Sequence, residues 1–217
     1  MNHRIRKRKA ISTVLTTLII LVASVVLGTG VVLYGTSLFQ TSAQSKAIVV
    51  SGTQVWSDSS GNSGWAWGAA DVRNAGDKLL SVDSIQIRGQ AVPFSNWYAN
   101  SSSTTITSNQ FQAALPYTKI NPVTGILLNG TGFNAGWVMT SCANGPGNNK
   151  MIIMLGLAPT CLSQQSGPIS LAPGDKAIVY FKVPQNVLTS VDAGSSSSVA
   201  IYAGQVGSPV TVTVAAK

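Results

Sequence analysis

The longest hydrophobic segment of the chain lies near its N-terminus and contains no charged residue. The uncharged stretch begins after Lys9 and continues to Ser45, and its most apolar part extends from Val14 to Leu33. A membrane-spanning helix needs about 20 mostly apolar residues, and this part supplies them. The pattern therefore predicts one long apolar helix over residues 11–42.

After a short polar joint, the spacing of hydrophobic residues changes from that of a helix to that of strands. β-branched and apolar residues recur with strand-like spacing in segments 47–56, 65–73, 79–88, 176–183, 198–202 and 209–215. Turn-forming residues interrupt them at Asn74-Ala-Gly-Asp77 and at Leu171-Ala-Pro-Gly-Asp175. Short strands with turns at this spacing predict an antiparallel β-sandwich head over residues 46–217, so the fold class is α+β.

The middle of the head, residues 93–167, has no regular pattern apart from Met151-Ile-Ile-Met-Leu155, which predicts a buried strand. The remainder mixes glycine, serine and scattered aromatic residues. We expect an elaborated region with exposed loops, where a surface protein would contact its surroundings.

The basic residues that precede the apolar helix predict its orientation. Five of them stand between Arg4 and Lys9, and such clusters stay on the cytoplasmic side, which places the head outside. Three kinds of N-terminal signal are consistent with a basic cluster followed by an apolar helix. A removable secretory signal would need a shorter apolar core, although Thr41-Ser-Ala43 is a weak cleavage site. The other two are an uncleaved membrane anchor and a signal that is cut before the helix.

The junction between the basic and apolar parts favours the third kind. The residues Lys9-Ala10-Ile11-Ser12 resemble the class III signal of archaeal type IV pilins and archaellins, and the apolar run resembles the N-terminal helix of those subunits. The resemblance implies cleavage between Ala10 and Ile11, which makes residues 1–10 a leader. Bacterial pilins carry glutamate at the fifth mature position, whereas this chain has Leu15, as is common in archaeal subunits.

The resemblance also implies a function. It predicts a structural subunit of an extracellular adhesion pilus, with an immunoglobulin-like head and no cofactor. The precursor would lie in the membrane with its N-terminus inside, and its partners would be prepilin peptidase, the assembly machinery, other copies of the chain and a surface or cell ligand. An archaellin and a monomeric membrane-anchored binding domain are the alternatives.

One side of the predicted helix carries small residues at helical spacing, namely Thr13, Thr17, Ser24 and Gly28. Small residues let helix backbones approach closely, so this side is a candidate for packing between subunits. The same residues are also ordinary in a simple anchor helix, and spacing does not separate the two interpretations.

Charge argues against nucleic acid as a partner. The net charge is +8, but without the five basic leader residues the chain keeps nine scattered basic residues against six aspartates. No basic stripe remains to contact a phosphate backbone.

The chain also lacks the usual catalytic groups. Its single histidine is His3, it contains no glutamate, and none of its aspartates forms a close pair. We therefore expect no enzyme activity and no metal site.

Two further features fit an extracellular head. Cys142 and Cys161 would close a loop of about 20 residues as a disulfide, which the chain-entropy relation values at roughly 3 kcal/mol. The sequons at Asn100 and Asn129 lie in Ser- or Gly-rich stretches, and we expect N-glycosylation there.

Overall fold

The computed structural model describes residues 3–43, 46–58, 64–100, 106, 111, 114–117, 150–156 and 158–216. The chain divides into two compact units, residues 1–45 and residues 46–217. The first unit is helical and the second is built from strands, as expected of an α+β protein.

The first unit is a single helix, α1, which includes His3–Ala43. It begins earlier than the predicted start at Ile11, because the basic residues before that point are good helix formers and no proline interrupts them. It continues through Gly28, Gly30 and Gly35. The helix therefore joins the predicted leader to the predicted span without a break.

The described residues of the second unit form twelve strands. They are β1 (Ile48–Ser57), β2 (Ala66–Asn74), β3 (Leu80–Val82), β4 (Ser84–Ile87), β5 (Gln90–Ala91), β6 (Trp97–Asn100), β7 (Lys150–Leu155), β8 (Ala158–Gln164), β9 (Ile169–Leu171), β10 (Lys176–Val183), β11 (Ser196–Ala203) and β12 (Val206–Ala216). All six predicted strand segments, and the predicted strand at Met151–Leu155, contain strands. The segment 79–88 is divided at Asp83, whose backbone N–H donates to the Tyr202 carbonyl.

The immunoglobulin-like sandwich is not confirmed. Ten of the strands form one continuous sheet in the order β5-β4-β11-β12-β1-β2-β10-β6-β8-β7, and β3 pairs with β9 in a small second sheet. The two halves of the large sheet are joined by a parallel pairing of β1 with β12, in which Val55 lies opposite Val214. The joined sheet is curled into a half-barrel. The other pairings among the described strands are antiparallel.

The main hydrophobic core lies inside the curled sheet. It contains side chains from both halves, such as Val179 and Phe181 of β10 and Ile85 and Ile201 of β4 and β11. Trp97 is fully buried in this core, and its indole N–H donates to the Val92 carbonyl at 3.0 Å. Removing this apolar surface from water is the main force that holds the curl.

A second cluster covers the opposite face of β2 and β10. Trp56, Trp67 and Tyr180 form its aromatic centre, and Ile106 and Leu115 from the middle region pack against them. The expectation of loops in the middle region is therefore only partly right. β6, β7 and β8 belong to the large sheet, and single residues of the middle region cover its outer face.

Buried Asn74 ties the turn regions of the head together. Its side-chain amide donates to the carbonyls of Lys78 at 2.7 Å and Leu171 at 2.9 Å, and its side-chain oxygen accepts from the Gly76 N–H. This arrangement explains why Asn-Ala-Gly-Asp forms a turn here, since the asparagine side chain satisfies the backbone groups that the turn leaves unpaired.

Candidate functional site

The N-terminal helix presents apolar side chains in every direction. A segment long and apolar enough to cross a membrane extends from Ser12 to Leu38, and none of its residues is buried in the structure. Its large hydrophobic side chains are between 51% and 72% exposed. A helix that is hydrophobic all round needs lipid or other apolar helices as its surroundings.

Five hydroxyl groups of this helix form hydrogen bonds within the helix itself. Thr16, Thr17, Ser24, Thr29 and Thr36 each donate to a carbonyl three or four residues earlier, at 2.7–3.0 Å. A polar group that is satisfied in this way no longer requires water or a partner helix. The helix can therefore enter an apolar medium despite its threonines and serine.

The four predicted packing residues lie on one side of α1. At 100° per residue, Thr13, Thr17, Ser24 and Gly28 fall within an arc of about 60°. All four are exposed, and a Cβ placed on Gly28 would meet no atom within 4 Å. This side is accessible to a neighbouring helix, and whether it packs there is still a prediction. Ala10 and Ile11, at the predicted cleavage point, both lie in helical backbone.

The remaining predicted sites lie in or near the middle region. Asn100 ends β6, is half-buried, and its side-chain N–H donates to the Cys161 carbonyl at 3.0 Å. Cys161 lies in β8 opposite Ile152. Asn129 and Cys142 lie outside the described residues, so the disulfide and the second sequon stay predictions.

The structure also contains a buried carboxyl group that sequence analysis did not single out. Asp71 lies in β2 between Ser51 of β1 and Ile178 of β10, and it is only 3% exposed. Its Oδ1 has no hydrogen-bond partner among the described residues. Burial raises the pKa of the Asp71 carboxyl to about 7. One feature of the sequence could have indicated this buried carboxyl group. Asp71 is a lone aspartate among the small apolar residues of Ala69-Ala-Asp-Val72.

Two neighbours define the surroundings of Asp71. A β-bulge between Ser51 and Gln54 places Gly52, with φ +60°, close to the carboxyl group, and a Cβ on Gly52 would lie 2.8 Å from Asp71 Oδ2. Tyr180 donates its hydroxyl to the Pro116 carbonyl at 2.8 Å. Burial, and then the charge of Asp71, raise the pKa of Tyr180. A neutral Asp71 suits this buried position, because Oδ1 of an ionised carboxylate would have no hydrogen-bond donor among the residues that the structure describes.

The outer face of the sheet also holds cations against aromatic rings. The Lys182 ammonium lies 3.8 Å from the centre of the Trp65 ring, and burial lowers the pKa of that lysine.

No group of three or more potential metal ligands occurs in the part of the chain that the structure describes. No protein-family model matches the sequence, and a comparison with curated proteins gives no significant match.

Proposed function

We propose that this chain is the structural subunit of an extracellular filament of the archaeal type IV pilus kind, serving in surface attachment. The observation that carries the proposal is the uncharged Ser12–Leu38 part of α1, which is apolar on every side and exposed. Such a helix has two stable surroundings, a lipid bilayer and a bundle of similar helices. A filament subunit uses both in succession.

The basic residues explain why processing would come before assembly. Arg4, Arg6, Lys7, Arg8 and Lys9 hold the N-terminus of the precursor at the cytoplasmic surface. Buried in a helix bundle, each would cost several kcal/mol. Cleavage after Ala10 removes all five, and the remaining helix carries no charged side chain before Lys46. It can then leave the bilayer and pack against other copies.

The β-rich head is consistent with a subunit in which the helix assembles and the head faces the surroundings. It is a compact unit with its own hydrophobic core, so its stability does not depend on burying α1. In a filament the helices would form the core and the heads would form the outer wall. The wall would provide the surface that attaches to other materials.

The test is the mature N-terminus and the assembled state of the protein in its own cells. We expect sheared surface filaments to contain this chain beginning at Ile11, as measured by intact mass and electron microscopy. The same chain made in a host without prepilin peptidase is the control and keeps Met1. A surface form that begins at Met1 would instead indicate a monomeric anchored domain, and a form that begins after Ala43 would indicate a secretory signal. Either result overturns the proposal.

A further inference from the structure

Three stretches of the head meet at the end where the chain enters it. The Ala75 N–H donates to the Ala47 carbonyl at 2.9 Å, and the Asn74 N–H donates to the Asp175 carbonyl at 3.0 Å. The start of β1, the turn after β2 and the turn before β10 are thus held side by side.

The side chains at this end are mainly cationic. Arg73 pairs with Val49 on one neighbouring strand and with Lys176 on the other, and residues paired in this way share a face of the sheet. Lys46 lies two residues before Ile48, the first residue of β1, and Lys78 lies in the adjacent turn. Two carboxylates are nearby. Asp77 is exposed, and Asp175 accepts a hydrogen bond from the Ala172 N–H at 3.1 Å.

The same end exposes two large hydrophobic side chains. Val49 is 48% exposed and Leu79 is 65% exposed. Among the described residues of the head, the other exposed large hydrophobic is Val191, in the short 3-10 helix Ser190–Asp192. Aliphatic groups surrounded by cations are typical of surfaces that contact the interface of a membrane, where chains enter the acyl boundary and cations meet phosphates.

The connection to α1 restricts what this surface can reach. Lys46 is the third residue after Ala43, the last residue of α1, and a fully extended chain spans at most about 3.6 Å per residue. With α1 in a bilayer, Lys46 therefore stays within about 11 Å of the helix end. We call this end of the head the rim surface and define it by Lys46, Val49, Arg73, Lys78, Leu79 and Lys176.

We propose that the rim surface docks onto anionic lipid headgroups while the subunit waits in the membrane. This inference rests on the part of the proposed function that places α1 in a bilayer, and it does not require filaments to form. Four cations supply the charge complementarity to phosphate, and the two aliphatic side chains supply the apolar contact. Docking would keep the head close to the bilayer until assembly withdraws the helix.

The test uses the full chain in lipid nanodiscs, made of phosphatidylcholine with or without phosphatidylglycerol. Co-elution with the discs first establishes that α1 has inserted. Lysine acetylation is then followed by mass spectrometry at Lys46 and Lys78, with exposed Lys150 of β7 as the internal standard. We expect the anionic lipid to slow acetylation at Lys46 and Lys78 by about fivefold relative to Lys150, as suits the attraction of one cation to an anionic surface. High salt should abolish the difference.

Substitutions separate docking from general effects of charge. The double variant Arg73→Glu/Lys78→Glu should remove the protection of Lys46. The control Lys150→Glu should leave it intact, with Lys182, at the opposite end of β10 from Lys176, as the internal standard for that variant. Leu79→Ser should weaken the protection without removing its salt dependence. Equal acetylation in the two kinds of disc would overturn the proposal, as would failure of the chain to insert. Protection of Lys46 and Lys78 only in assembled filaments would also overturn it, by assigning the rim surface to contacts between copies of the chain.

Discussion

Asp71 is the residue whose ionisation should control the stability of the head. An exposed aspartate titrates near pH 4, whereas burial raises the pKa of Asp71 to about 7. Between these values the unfolded chain has lost the proton and the folded head still holds it. The free energy of unfolding should therefore fall as the pH rises through this window and level off above it.

The variant Asp71→Asn tests this prediction, because asparagine keeps the shape of the side chain and cannot ionise. We expect the parent to lose up to about 1.4 kcal/mol of stability per pH unit within the window, and the variant to lose much less. Chemical denaturation of the full chain in detergent at several pH values measures the slope. Asp77→Asn, in an exposed turn, is the matched control and should follow the parent. Parallel slopes for parent and Asp71→Asn would contradict the prediction.

The contact between Asn100 and Cys161 changes the prediction that Asn100 is glycosylated. Its sequon suggested a glycan, but the nitrogen that would carry the sugar donates to the Cys161 carbonyl at 3.0 Å in a half-buried strand end. We expect Asn100 to carry no glycan when the protein comes from its own cells. Glycopeptide mass spectrometry with enzymatic release in heavy-oxygen water measures its occupancy. A glycan at Asn100 would show that modification precedes formation of β6.

At the scale of elements, Gly68 of β2 leaves room for a ring from the neighbouring strand β10 to lie across β2. A Cβ at Gly68 would overlap the ring of Phe181, which lies opposite it in the sheet. We expect Gly68→Ala to lower the free energy of unfolding by about 1–3 kcal/mol through overpacking. The matched control is Gly167→Ala, where the added methyl group meets no atom within 4 Å. Denaturation of both variants measures the difference, and a neutral Gly68→Ala would mean that the ring moves aside freely.

For the Ser12–Leu38 segment of α1 the decisive property is the absence of charged side chains. We expect Val25→Arg, near the middle of Ser12–Leu38, to cost about 2.5–3.5 kcal/mol of insertion free energy. The inserted fraction should therefore be smaller than that of the parent. Membrane fractionation after alkaline extraction measures insertion, and Val25→Leu is the control. Full insertion of Val25→Arg would indicate that a partner surrounds the helix during insertion.

Elements defined by local pattern were predicted well, and elements defined by pairing were not. The strand at β10 was visible because Ala177, Val179 and Phe181 alternate with residues of the other face. The segment 79–88 looked continuous, yet the exposed Asp83 separates β3, which pairs with β9, from β4, which pairs with β11. The pattern of one segment does not specify which distant strand it will meet.

At the scale of the whole molecule, the proposed filament would be held by apolar contacts between uncharged helices. We expect filaments to survive molar salt, because salt screens charges and strengthens apolar association. Detergents that replace the helix surroundings should dissociate them. Sedimentation of sheared filaments in each condition measures this. Dissociation by salt would indicate that the heads, with their scattered charges, hold the filament together.

The sequence by itself determined the long apolar helix, the basic cluster before it and the β-rich nature of the head. These properties depend on residues that are neighbours in the chain. The length of an apolar segment, its charge and the alternation of its polar and apolar residues can be read directly from the sequence. Only the tertiary structure decided that β1 pairs in parallel with β12 and joins the sheet, that Asp71 is buried, that Asn100 contacts Cys161, and that Lys46, Arg73, Lys78 and Lys176 share one end of the head. Each of these depends on contacts between residues far apart in the chain, and a local pattern contains no information about such pairings.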